Sequence, residues 1–114
     1  KKAGAKLSFG SDFPVEGVPP LWGIHAAVTR TDKKGSPKGG WRADEAMTAL
    51  EALEGFTTGP AYAAFEEASR GTITAGKLAD LVVLSGDPLT VPSGDLLSLR
   101  VKKTVVGGRL VYTE

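Results

Sequence analysis

The strand-forming signals of this chain lie at its two ends, and only helix and loop signals lie between them. Residues 5–9, AKLSF, are small or apolar apart from one lysine, and Gly10, Ser11 and Asp12 close the run ahead of Phe13-Pro14. The segment therefore reads as a short buried strand with a carboxylate at its tip. Strand signals return only after Gly71. DLVVLS is a compact β-branched run, and VKKTVVGGRLVYT reads as two strands joined by Gly107-Gly108, a pair that supplies the positive φ angles of a tight hairpin turn. Helices and strands are thus segregated, which makes the chain α+β. A first strand followed only by helices has two unpaired edges, so its neighbours are expected to come from elsewhere.

Between these ends the helix signals are local. After Pro19-Pro20, Leu21, Trp22, Ile24, His25 and Val28 recur at helical spacing to about Arg30. TRTDKKGSPKGGW then breaks all periodicity, as a functional loop or a plain solvated one would. Thr48 with Glu51 forms a capping box, with Leu50, Leu53 and Phe56 as the expected buried stripe. Gly59-Pro60 is expected to end or kink this helix, and AYAAFEEA to form another that packs Tyr62 and Phe65. DPLTVPSGDLLSL reads as a loop with a short helical turn. In the hairpin, Val101, Val105 and Val111 or Tyr112 are expected to share a buried face, with Lys102, Lys103 and Arg109 in water.

Charge excludes some partners. Fourteen basic residues stand against 13 acidic ones, for a formal net charge of +1, so no large field is available for a nucleic acid or an anionic membrane. No apolar run is long enough to span a bilayer, and no signal peptide is apparent. The chain has no cysteine, which removes disulfides and thiolate metal sites and fits a reducing compartment, so a cytoplasmic location is expected. It opens on KKAGAKLSFG, and its one methionine is Met47; it is expected to be trimmed or cut from something longer.

Asp12 is the leading candidate for chemistry, because loops beyond the C-terminal ends of strands converge on the clefts of α/β folds. The alternative is an Asx turn that satisfies local N–H groups. Ser11 beside it reads as a turn hydroxyl. His25, the single histidine, is a ligand or base on one reading and a packed, hydrogen-bonded ring on the other. It cannot complete a zinc site that needs three or four ligands. No serine sits in a G-x-S-x-G elbow, and there is no phosphate or dinucleotide fingerprint. The lysines of KKGSPKGG are phosphate contacts or surface charge, and Trp22 and Trp41 are stacking platforms or core.

GTITAGKLADLVVLSGDPL, residues 71–89, resembles the C-terminal signature of the amidohydrolase superfamily. Together with GSDFPV, GIHAAVTR, GFTTGPAYAAFEE and VVGGRLVY it is similar to the tail of the amidohydrolase 3 branch, which includes formamide deformylase-like enzymes. The resemblance implies a metal-dependent hydrolase with a (β/α)8 barrel and a small β-sandwich built from both chain ends. On it, residues 1–70 hold the last barrel strand and its helices, and residues 71–114 return to the sandwich. It assigns Asp12 as metal ligand and as catalytic general base, then acid. The expected cofactor is a divalent metal, zinc, in the full-length enzyme, with none bound by this chain alone. A complete barrel takes about 250 residues, and the family's histidine ligands are absent here. His25 matches no ligand position, residues 31–41 would border the pocket, and Asp80 falls on a signature position with a capping role.

Two functions follow as expectations. One is the C-terminal part of an amidohydrolase acting on non-peptide C–N bonds, inactive alone, whose partner is the missing N-terminal part. The other is a structural or interaction module derived from such a tail, self-associating as a homo-oligomer or pairing with another protein.

Overall fold

The computed structural model describes residues 3–114. Three α-helices precede a three-stranded antiparallel sheet, so the α+β reading holds. Helix α1, Pro20–Thr29, places Pro20 in its first turn, where a missing N–H costs no hydrogen bond. It ends at Arg30, whose left-handed φ of 57° turns the chain while its N–H still reaches the Ala26 carbonyl.

Helix α2, Ala49–Phe56, begins at the expected capping box. Thr48 Oγ1 accepts from the Glu51 N–H at 3.2 Å, and Glu51 Oε2 accepts from the Thr48 N–H at 3.0 Å. Such a cap contributes about 1 kcal/mol. The buried stripe differs from the expectation. Leu53 and Phe56 are half-buried, but Leu50 is 53% exposed, and the most buried positions are Ala52 and Gly55. Small residues lie inward because a neighbour comes too close for large ones: a Cβ on Gly55 would fall 2.4 Å from the Phe9 ring.

The N-terminal run forms no strand. Leu7 and Phe9 are half-buried while Lys6 and Ser8 are exposed, the alternation of an extended chain. Among the described residues nothing lies beside this segment to form a ladder. Its backbone makes one bond to α2, from the Phe9 N–H to the Gly55 carbonyl at 2.8 Å, and the Phe9 ring meets Phe56 edge-on at 5.6 Å.

Helix α3, Thr58–Ala63, starts earlier than expected, after a break at Thr57. Pro60 lies in its first turn, where it disrupts no intrahelical bond. The chain reverses at Phe65, which has a φ of 59° and is 92% exposed, so the helix cannot continue through AFEEA. Tyr62 is exposed too, with the Lys6 ammonium 3.7 Å from its ring centroid. Neither aromatic packs as expected.

Strands β1, Leu81–Leu84, β2, Val101–Val106, and β3, Arg109–Thr113, lie in that order in the sheet. Gly107 and Gly108 both have positive φ, as a two-residue hairpin between Val106 and Arg109 requires. Val101 and Val105 are half-buried, but Val111 and Tyr112 are exposed, against expectation. The register shifts between Thr104 and Val105 and leaves Val111 without a partner, and among the described residues no layer covers β3.

The core is Ile24, Ala52 and Leu96, surrounded by Leu21, Val28, Met47, Leu53, Phe56 and Leu99. Leu96, only 1% exposed, comes from a 3-10 turn, Ser93–Ser98, which is the helical turn expected within that loop. Leu96→Ala is expected to lower unfolding free energy by about 2–5 kcal/mol in urea denaturation. Leu50→Ala should stay within about 0.5 kcal/mol of the parent, and equal losses would contradict this description of the core.

Candidate functional site

The segment that carries Asp12 is a tight turn held by its backbone. The Val15 N–H bonds the Asp12 carbonyl at 2.8 Å, and the Glu16 N–H bonds the Ser11 carbonyl at 3.3 Å. Asp12 takes a φ of 50°, a left-handed conformation that aspartate tolerates better than most residues. Its side chain is exposed and accepts no hydrogen bond from the described residues. The carboxylate is therefore not consumed in an Asx turn. Phe13, Val15 and Val18, close to it in sequence, are exposed as well.

Next to this turn lies a cavity of about 300 Å³, lined among others by Ser11, Glu16, Trp22, His25, Asp32 and Lys33. Trp22 fits against the turn because position 17 is glycine: a Cβ there would fall 1.9 Å from the indole. The Lys33 ammonium stands 3.6 Å from the Trp22 ring centroid. His25 is 5% exposed and lines the cavity, and its ring makes no hydrogen bond to a described residue. Burial pushes its pKa below the ordinary imidazole value, with the nearby Asp32 carboxylate opposing the shift. Asp32 Oδ1 accepts the backbone N–H groups of Ser36, at 2.9 Å, and Lys34, at 2.8 Å, which hold its carboxyl below the usual range.

The loop of residues 31–41 is tied at both ends. The Trp41 N–H bonds the Arg30 carbonyl, and Arg30 Nε bonds the Trp41 carbonyl while its guanidinium lies over the indole. Only the start of the loop borders the cavity; Trp41 lies outside it. Lys33 and Trp22 are the lining residues whose pairing the sequence did not disclose. The signal was the lysine cluster itself, but a cation over a ring depends on the loop's path rather than on spacing along the chain.

The residues of the GKLAD stretch do structural work. Lys77 Nζ donates to the carbonyls of Glu67 and Arg70, closing the chain beyond α3. Asp80 Oδ1 accepts the Gly107 N–H at 2.8 Å, and the Gly108 N–H reaches the Ala79 carbonyl, so the hairpin turn is pinned to the start of β1. This is the capping role read for Asp80.

Among the described residues no three of His, Cys, Asp and Glu come together as a metal site. Asp12 belongs to no such group, so the described residues alone do not fit a metal ion. No helix among them is long and apolar enough to cross a membrane.

Residues 1–112 match the family model described as the amidohydrolase family. YtcJ of Bacillus subtilis (strain 168), a protein named as an amidohydrolase, is 41% identical over 103 residues, which is 90% of this chain and 20% of that protein. The N-substituted formamide deformylase of Arthrobacter pascens is 40% identical over 110 residues, 96% of this chain and 20% of the enzyme. The chain thus spans about a fifth of the length of these relatives. The crystal structure of an amidohydrolase from Thermotoga maritima MSB8 superposes with a TM-score of 0.64 at 25% identity, over 99% of this chain and 24% of that one.

The single histidine makes the electrostatics of the cavity directly measurable. His25 is expected to titrate below its ordinary pKa of 6.5 in an NMR titration of its ring proton. With a depressed folded pKa, the unfolded chain binds the proton more readily. The urea midpoint should therefore hold above about pH 6.5 and fall as pH drops below it, and a pKa above 6.5 would contradict the placement of His25.

Proposed function

The chain belongs to the amidohydrolase family, and on that premise we propose that it is the C-terminal portion of a hydrolase of non-peptide, amide-type C–N bonds. The observation that carries this reading is the Asp12 carboxylate, exposed at the tip of a backbone-held turn with no hydrogen bond to a described residue. A carboxylate left free on a rigid turn is suited to proton transfer. In the reaction we propose, water oxygen bonds to the carbonyl carbon and the C–N bond breaks. Asp12 takes a proton from the water and returns it to the departing nitrogen, which leaves as an amine. The name of the Arthrobacter relative points to N-substituted formamides as the substrates to try first.

The family is metal-dependent, and in this reading the ion, zinc, is held by Asp12 together with ligands from sequence outside this chain. Residues 1–70 then contribute the last strand and helices of a (β/α)8 barrel, and residues 71–114 part of a β-sandwich. Two uncovered surfaces support that assignment. Residues 5–9 are extended without a strand partner. The sheet exposes Val83 and Leu110 on one face and Val82, Val106 and Tyr112 on the other. Apolar residues exposed on both faces of a sheet are what a covering layer would bury. The occupant we assign to both is the remainder of the same protein, four-fifths of the relatives' length. A second reading, self-association through the sheet, draws on the same exposed residues.

The test uses the protein made from the complete reading frame that contains these residues. It is expected to release amine and formate from N-benzylformamide, and Asp12→Asn to slow release by roughly 10²–10⁴-fold with the thermal midpoint little changed. Full activity in Asp12→Asn would overturn the assignment. Self-association of the 114-residue chain through the sheet would appear as a dimer in light scattering that Val82→Lys dissolves.

A further inference from the structure

The cavity next to Asp12 has features that hydrolysis by a carboxylate does not use. His25 lines the cavity and its ring makes no hydrogen bond to a described residue, and its nitrogens are not sealed from solvent, so they stay open to a guest. Trp22 presents a ring face that is already covered by a cation, the Lys33 ammonium at 3.6 Å. Lys33 makes no ion pair among the described residues, so its ammonium rests on the ring rather than on a carboxylate. Glu16 and Asp32 border the same space.

We propose that this cavity is a binding site for a small primary amine, whose ammonium takes the place of Lys33 on the Trp22 face and donates to the His25 imidazole. The ring face, two carboxylates and a neutral imidazole all favour a cation that is also a donor. An anion would meet the negative face of the indole and two like charges. Phe56, Ala26 and Pro19 give the hydrocarbon part an apolar wall. A volume of about 300 Å³ is at the lower end for ligand pockets, which limits the guest to an alkyl or benzyl amine. Lys33, on an exposed loop, can swing out to water at little cost and so serves as the displaceable occupant. That the guest is the amine released by C–N cleavage rests on the function proposed above; binding itself does not.

The test follows the indole N–H of Trp22 and the ring proton of His25 by NMR while benzylamine hydrochloride is added to the 114-residue chain, with benzyl alcohol at matched ionic strength in parallel. The indole of Trp41, outside the cavity, is the internal reference. We expect saturable shifts at Trp22 and His25 with the amine and not with the alcohol. Trp22→Leu should weaken amine binding roughly three- to thirtyfold, the worth of a cation on an indole. Lys33→Gln should tighten it by removing the competing cation. An equal response to the alcohol, or unchanged affinity in Trp22→Leu, overturns the proposal. Where Trp22→Leu does not fold, Lys33→Gln decides, and unchanged or weaker binding there also overturns it. Amine binding without hydrolysis by the complete protein keeps the site and removes the function proposed for the family fold. Hydrolysis without amine binding does the reverse.

Discussion

The contact on which the described fold depends is that of Leu96 with Ile24 and Ala52. It joins a residue from the C-terminal third of the chain to α1 and α2, and nothing else in the core is so completely buried. Burying one leucine is worth about 2 kcal/mol, a large share where only four apolar residues among those described are buried. Because Ser93–Ser98 is held there, the strands on either side of it are held too: β1 enters the turn and β2 leaves it. The sheet itself has little else to rest on.

From that core outward, close approach replaces burial as the organising device. Gly55 admits the Phe9 ring, and Gly17 admits the Trp22 indole, so the N-terminal segment and the turn after it lie against α2 and α1 without large side chains between. The Met47 N–H bonded to the Ala27 carbonyl ties the start of α2 to α1 in the same way. These contacts fix the backbone on both sides of Asp12 while leaving its side chain unengaged. They also leave the space beside Trp22 that becomes the cavity.

Features with a local cause were legible in the sequence. The capping box at Thr48, the diglycine hairpin, the helical turn near Leu96 and the proline at the start of α1 each depend on residues within a few positions of one another. The misreadings share a different origin. Periodicity alone puts Leu50 inward, but which face of α2 is buried depends on Phe9, some forty residues earlier. Phe65 falls beyond a helix that ends sooner because the chain turns left-handed there, and Tyr62, which is helical as expected, faces outward rather than packing. Residues 5–9 have strand composition, but a strand also needs a neighbour. Asp12 was found by its place after that run, whereas the meeting of Trp22, His25 and Lys33 could not be read from spacing.

The most recognisable stretch of this chain is therefore not where its chemistry would lie. Lys77 and Asp80 serve carbonyls and a turn N–H, so their value to the fold is independent of any substrate. Residues that serve the backbone in this way say little about what the protein cleaves. Discrimination between substrates has to come from groups that touch the departing or remaining half of the molecule. In this chain the candidates for that are Trp22, His25 and Lys33. If the cavity takes an amine as proposed, a change at Lys33 would alter which amines fit while leaving the GKLAD stretch, and hence the fold it secures, untouched.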